Sequence, residues 1–113
     1  MSELTHFDAQ GRSRMVDVGD KPVTARMARA SGLVVMAAET LQLIRQGGHA
    51  KGNVLEVARL GGIMAAKQTQ NLIPLCHSLA LDAVTIEFDL SHDQTINIEA
   101  TARVEAKTGV EME

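Results

Sequence analysis

Residues 84–104 alternate apolar and polar side chains with a period of two, interrupted once by a polar turn. Val84, Ile86, Phe88 and Leu90 share one face, and Thr85, Glu87 and Asp89 share the other. Beyond Ser91-His92-Asp93-Gln94, the residues Ile96, Ile98, Ala100, Ala102 and Val104 alternate with Asn97, Glu99, Thr101 and Arg103. Successive side chains of a strand point to opposite faces, so this is an antiparallel hairpin with one face buried. The pattern commits this half of the chain to a sheet and demands an apolar cover for it.

The cover is sought upstream. Residues 53–71 form the best helical pattern: Asn53 can cap the first turn, and Glu56 three residues later completes a capping box. From Val57 to Ala66 only Arg59 is polar, which predicts a helix buried on most sides. Pro74 ends it and pushes Ile73 toward an extended conformation. Residues 37–46 give a shorter helix, stopped by Gly47-Gly48. Residues 22–36 read as a long strand from the alternation of Val23, Ala25 and Met27 and the β-prone Leu33-Val34-Val35-Met36. Residues 1–21 read as a flexible arm in which Met15-Val16-Asp17-Val18 pairs briefly as a strand. At the other end, Thr108-Gly109-Val110-Glu111 has capping-box spacing and announces a helix beginning near 108. Two residues more do not make a helix, so the sequence reads as cut short.

With 113 residues, the chain is long enough for one domain, 1–113. Its hydrophobic content is 45%, yet Phe7 and Phe88 are its only aromatic residues, so the core must be built from small and aliphatic side chains and six Met. Part of the missing burial is expected from contacts between copies. A net charge of −3 argues against broad electrostatic binding to nucleic acid or an anionic membrane. Cys76 is the only cysteine, which excludes an internal disulfide, and residues 1–10 lack the apolar core of a secretion signal. A soluble, cytoplasmic domain is the expectation.

Two polar knots flank the long helix: His49-Ala50-Lys51-Gly52-Asn53 before it and Asn71-Leu72-Ile73-Pro74-Leu75-Cys76-His77 after it. Lys51 precedes a capped helix start, where free N–H groups favour anions, so phosphate recognition competes with a solvated loop lysine. His77 can exchange protons near neutral pH or hold a phosphate oxygen; a structural histidine anchoring the loop is the alternative. Cys76 reads better as a small buried residue than as a nucleophile, because no activating base is evident. Lys67 either snorkels or points into a pocket. Glu113 is placed to orient a ligand amine or move a proton, while a carboxylate favoured by a helix start needs no ligand. The four histidines and one cysteine show no zinc spacing, and phosphate-loop and dinucleotide fingerprints are absent. His6 and His92 receive no role.

Met15-Val16-Asp17-Val18, the two knots and Lys107-Thr108-Gly109-Val110-Glu111-Met112-Glu113 together resemble the cyclic pyranopterin monophosphate synthase family, also called molybdenum cofactor biosynthesis protein C. The resemblance runs over essentially the whole chain. It implies an α+β fold, a ferredoxin-like antiparallel sheet packed against helices, assembled as a homohexamer (a trimer of dimers) with sites between subunits. It implies a lyase that converts (8S)-3′,8-cyclo-7,8-dihydroguanosine 5′-triphosphate to cyclic pyranopterin monophosphate and diphosphate. No cofactor is implied beyond Mg²⁺ accompanying the triphosphate. By position, Leu75, Cys76, His77, Met112 and Glu113 are similar to substrate-binding residues and Lys51 to an essential lysine; Lys67 is added from the helix pattern. The family's aspartate and further lysine lie in sequence that this chain does not contain. A non-catalytic nucleotide-binding module and an oligomerisation module remain the alternatives.

Overall fold

The computed structural model describes residues 6–47 and 53–113. Five elements follow in order: β1 (Thr24–Val35), α1 (Ala38–Gln46), α2 (Val54–Leu72), β2 (Ala83–Asp89) and β3 (Thr95–Ala106). The strands form one antiparallel sheet in the order β1-β3-β2. Because β1 and β2 each run antiparallel to β3, they are parallel to one another. They are joined by a helical crossover with β3 inserted between them, a split βαβ unit with a hairpin. The fold is therefore α+β, as expected, and its strand order is that of the βαββ half of a ferredoxin-like arrangement.

Register follows the alternation. Val84 faces Ala102, Ile86 faces Ala100 and Phe88 faces Ile98, while Ala28 of β1 meets Ala102 from the other side. Ile86, Ile96, Ala102 and Val104 are buried. Helix α2 packs on β2, and Gly62 lets it come close: a Cβ there would collide with Ile86 Cδ1. Arg59 fastens the helix to the strand, its Nε donating to the Ile86 carbonyl at 3.1 Å and its guanidinium lying 5.4 Å from the Phe88 ring centre.

The helix ends match their signals. Asn53 Oδ1 accepts from the amides of Leu55 (3.0 Å) and Glu56 (3.2 Å). The Glu56 carboxylate pairs with Arg59, one turn on, instead of closing the expected capping box. Gly47 closes α1 in the left-handed region at φ 67°, where a Cβ is unfavourable. Ile73 leaves α2 extended, at φ −100° and ψ 117°, as a residue before proline must.

Two expectations are corrected. Helix α2 is not buried on most sides: a three-stranded sheet covers one stripe, which includes Gly62, Ala66 and Thr69. The opposite stripe of Val57, Leu60 and Met64 is 63, 59 and 55% exposed. Met15–Val18 has no ladder partner; the one bridge among the described arm residues joins Phe7 and Ser13. Beyond β3 the described residues 108–113 run without a regular element. Val110, 2% exposed, is pinned against Ala102 and Val104, and a turn follows at Glu111 and Met112.

Candidate active site

Pro74 stops α2, and the chain then turns abruptly. Leu75 adopts φ 65°, a left-handed conformation that costs a branched non-glycine residue about 1–3 kcal/mol. That turn delivers Cys76 and His77 beside the segment leaving β3. A hollow of about 230 Å³ opens there, walled by the arm (His6, Val16, Val18, Lys21), the post-helix turn (residues 74–77) and residues 108, 109 and 111–113. Leu75, Cys76, His77, Met112 and Glu113, five residues singled out from sequence, all line it.

Single hydrogen bonds fix its geometry. His77 Nε2 lies 2.6 Å from the Val16 carbonyl oxygen. A carbonyl only accepts, so Nε2 carries the proton and neutral His77 keeps its lone pair on Nδ1. Lys107 Nζ donates to the Gly19 carbonyl at 3.2 Å, tying the arm to the start of the third wall. Cys76 Sγ lies 3.6 Å from Glu113 Oε2 and 3.6 Å from the His77 carbonyl oxygen. Burial, reinforced by the negative charge of Glu113, pushes the Cys76 thiol above its ordinary value. The group therefore stays protonated at neutral pH and is a poor nucleophile. The second carboxylate oxygen, Glu113 Oε1, is buried without a hydrogen-bond partner among the described residues. An acceptor left in that state is costly unless a ligand donor completes it.

Lys67 falls elsewhere. It lines a separate hollow with Ile63, Gln70 and Asp82, on the side of α2 facing the start of β2. Lys51 lies outside the described residues. The residues that sequence reasoning missed are those of the arm: Val16, Val18, Lys21 and His6. The β-prone run at 15–18 was a signal of extended backbone, but nothing in it identified a histidine 61 positions away as the partner of Val16. Among the described residues no His, Cys, Asp or Glu cluster is arranged to hold a metal ion. No described helix is long and apolar enough to cross a membrane.

A cation, an imidazole with a free lone pair and a carboxylate with an unsatisfied oxygen can bind a polar, anionic molecule and move protons on it. The model of the MoaC family matches residues 15–113. The chain is similar to a cyclic pyranopterin monophosphate synthase of Desulfitobacterium hafniense, 57% identical over 98% of this chain and 68% of the relative. Another, from Parvibaculum lavamentivorans, is 57% identical over 98% of this chain and 70% of the relative. A third, from Chloroflexus aurantiacus, is 58% identical over 99% of this chain and 69% of the relative. On a match of this extent and identity, the chain belongs to the MoaC family.

Proposed function

We propose that this chain supplies part of the active site of a cyclic pyranopterin monophosphate synthase acting in molybdenum cofactor biosynthesis. The enzyme converts (8S)-3′,8-cyclo-7,8-dihydroguanosine 5′-triphosphate to cyclic pyranopterin monophosphate and diphosphate. The observation that carries this reading is the convergence of His77 and the orphaned Glu113 carboxylate on one hollow in a chain of this family.

Forming the cyclic phosphate requires a sugar oxygen to attack the α-phosphorus while diphosphate departs. Negative charge accumulates on the leaving group, and lysines placed around it stabilise the transition state. Lys51 takes that role or transfers a proton, on the strength of its place before the Asn53 cap and of the family resemblance. Lys21 adds a second cation at the arm wall. Rearranging the purine needs protons moved at ring atoms, for which the His77 lone pair is suited. In its neutral form His77 accepts at Nδ1; only the imidazolium donates there to a phosphate oxygen. Glu113 holds the base. Mg²⁺ enters, if at all, with the triphosphate as part of the substrate. The exposed Val57, Leu60 and Met64 stripe supports assembly with further copies, as a hexamer of three dimers, and the setting is cytoplasmic.

Replacing Lys51 with Ala in the full-length protein is expected to abolish diphosphate release from the cyclised nucleotide. Unchanged release rejects its assignment. Return of the nucleotide intact by the unaltered, assembled full-length protein rejects the enzyme reading in favour of a binding module.

A further inference from the structure

Lys107 stands beside the hollow without lining it, while its neighbours Thr108 and Gly109 form part of the wall. Its Nζ reaches across 88 positions of sequence to donate to the Gly19 carbonyl oxygen at 3.2 Å. That carbonyl belongs to a closed turn. The Lys21 amide donates to the Val18 carbonyl at 3.1 Å, and the Gly19 amide donates to Asp17 Oδ1 at 2.9 Å. Gly19 and Lys21 therefore move as one unit, and Lys21 lines the hollow. We infer that Lys107 is a positioning residue: by gripping the Gly19 carbonyl it sets the root of Lys21 at the wall, so that this ammonium meets the phosphates of the ligand. The inference rests on the reading of Lys21 as a cation for the triphosphate, and it deepens that reading.

Little else holds this stretch. Among the described residues, the hydrogen bonds within 17–21 only close the turn, and Lys107 supplies the one that ties it to the body of the protein. The root of Lys107 is itself fixed. It follows Ala106, which ends β3 opposite Thr24, and Arg26 Nε donates to the Ala106 carbonyl at 3.3 Å. A firm sheet edge thus holds a loose arm through one side chain. An ammonium on a carbonyl is a charge-assisted bond, yet in solvent it adds little to folding stability. What it sets is a location. With the backbone of the turn held, Lys21 meets an anion with part of its ordering cost already offset.

A double-substitution cycle in the full-length, assembled protein tests this, read as kcat/KM for diphosphate release from the cyclised nucleotide. Lys21→Met and Lys107→Met are each expected to lower kcat/KM about tenfold, the yield of one charge-assisted contact, with melting temperatures unchanged. The double variant should match Lys21→Met alone to within about twofold, because Lys107 then has no cation left to position. Lys107→Arg, which keeps a donor and the charge, should recover most of the loss. A double variant about a hundredfold down, the product of the two losses, overturns the inference, since Lys107 then acts by its own charge or contact. An unaffected Lys21→Met variant overturns it as well. Independently of activity, amide hydrogen exchange at Gly19 and Lys21 should quicken in Lys107→Met. Unchanged exchange overturns the tie and leaves the proposed function standing. An unaltered protein that releases no diphosphate rejects the proposed function and the ligand half of this inference, and exchange still decides the tie.

Discussion

The sheet and the rim of the hollow are built on different principles. Between β1 and β3 the ladder runs without a break from Thr24 opposite Ala106 to Val35 opposite Thr95, so no single residue carries the pairing. The rim has no ladder. Its three walls are joined by isolated contacts: His77 to Val16, Lys107 to Gly19, and Cys76 to Glu113. Redundancy makes the sheet tolerant of a lost contact but dependent on packing. The rim is the reverse, because each contact orients one functional group and nothing duplicates it.

That contrast is broken most forcefully from the sheet side. Ile86→Ala removes a buried side chain against which Gly62 packs, and should cost about 2–5 kcal/mol. Thermal or denaturant unfolding measures it, and diphosphate release should fall only as the folded fraction falls. On the rim, His77→Ala loses one side-chain hydrogen bond, about 0.5–1.5 kcal/mol, while diphosphate release is lost from a protein that is still folded. A large fall in melting temperature with activity retained would invert the comparison. Gly61→Ala sharpens it further: a Cβ there meets nothing within 4 Å, so the α2 interior should gain about 0.8–1 kcal/mol with the site untouched. The neighbouring Gly62→Ala should forfeit that gain against Ile86.

The smallest effect is chemical. Burial and Glu113 raise the Cys76 thiol, so at pH 8 it holds less thiolate than free cysteine and should alkylate more slowly. Glu113→Ala removes the charge and the hydrogen bond of Glu113, leaving burial and Glu111, and should accelerate the reaction. The linkage sign follows: a group with its folded value raised stabilises the fold below its unfolded value, and that contribution is lost as pH rises through the raised value. Any stability change from Cys76 therefore belongs to the alkaline limb of a pH titration. A loss between pH 5 and 7 has another origin.

What was legible in the residues tracks how local the causes are. The hairpin could be read because alternation is a period-two property of neighbouring residues, and both ends of α2 because Asn53 and Pro74 act within one turn. The exposed face of α2 could not be read, since Val57, Leu60 and Met64 are as apolar as a buried stripe; only the width of the sheet decides which face is covered. Val110 is held by Ala102 and Val104, contacts that no local pattern encodes. At the site, residue chemistry left Lys51, His77 and Glu113 ambiguous, and resemblance to a family selected them. Lys67 came from helix periodicity, which names a face of α2 without saying which hollow that face borders. The Val16 carbonyl was invisible, being backbone and distant in sequence.

Arg59 also has a consequence for how the sheet can grow. By occupying the Ile86 carbonyl on the outer border of β2 it stoppers that margin, since a newcomer strand would have to evict the guanidinium and lift α2 away. The opposite margin, along Thr24–Val35, has no such plug among the described residues. Lengthening of this sheet, by another stretch of polypeptide or by a stray molecule in a concentrated solution, is thereby channelled to one side.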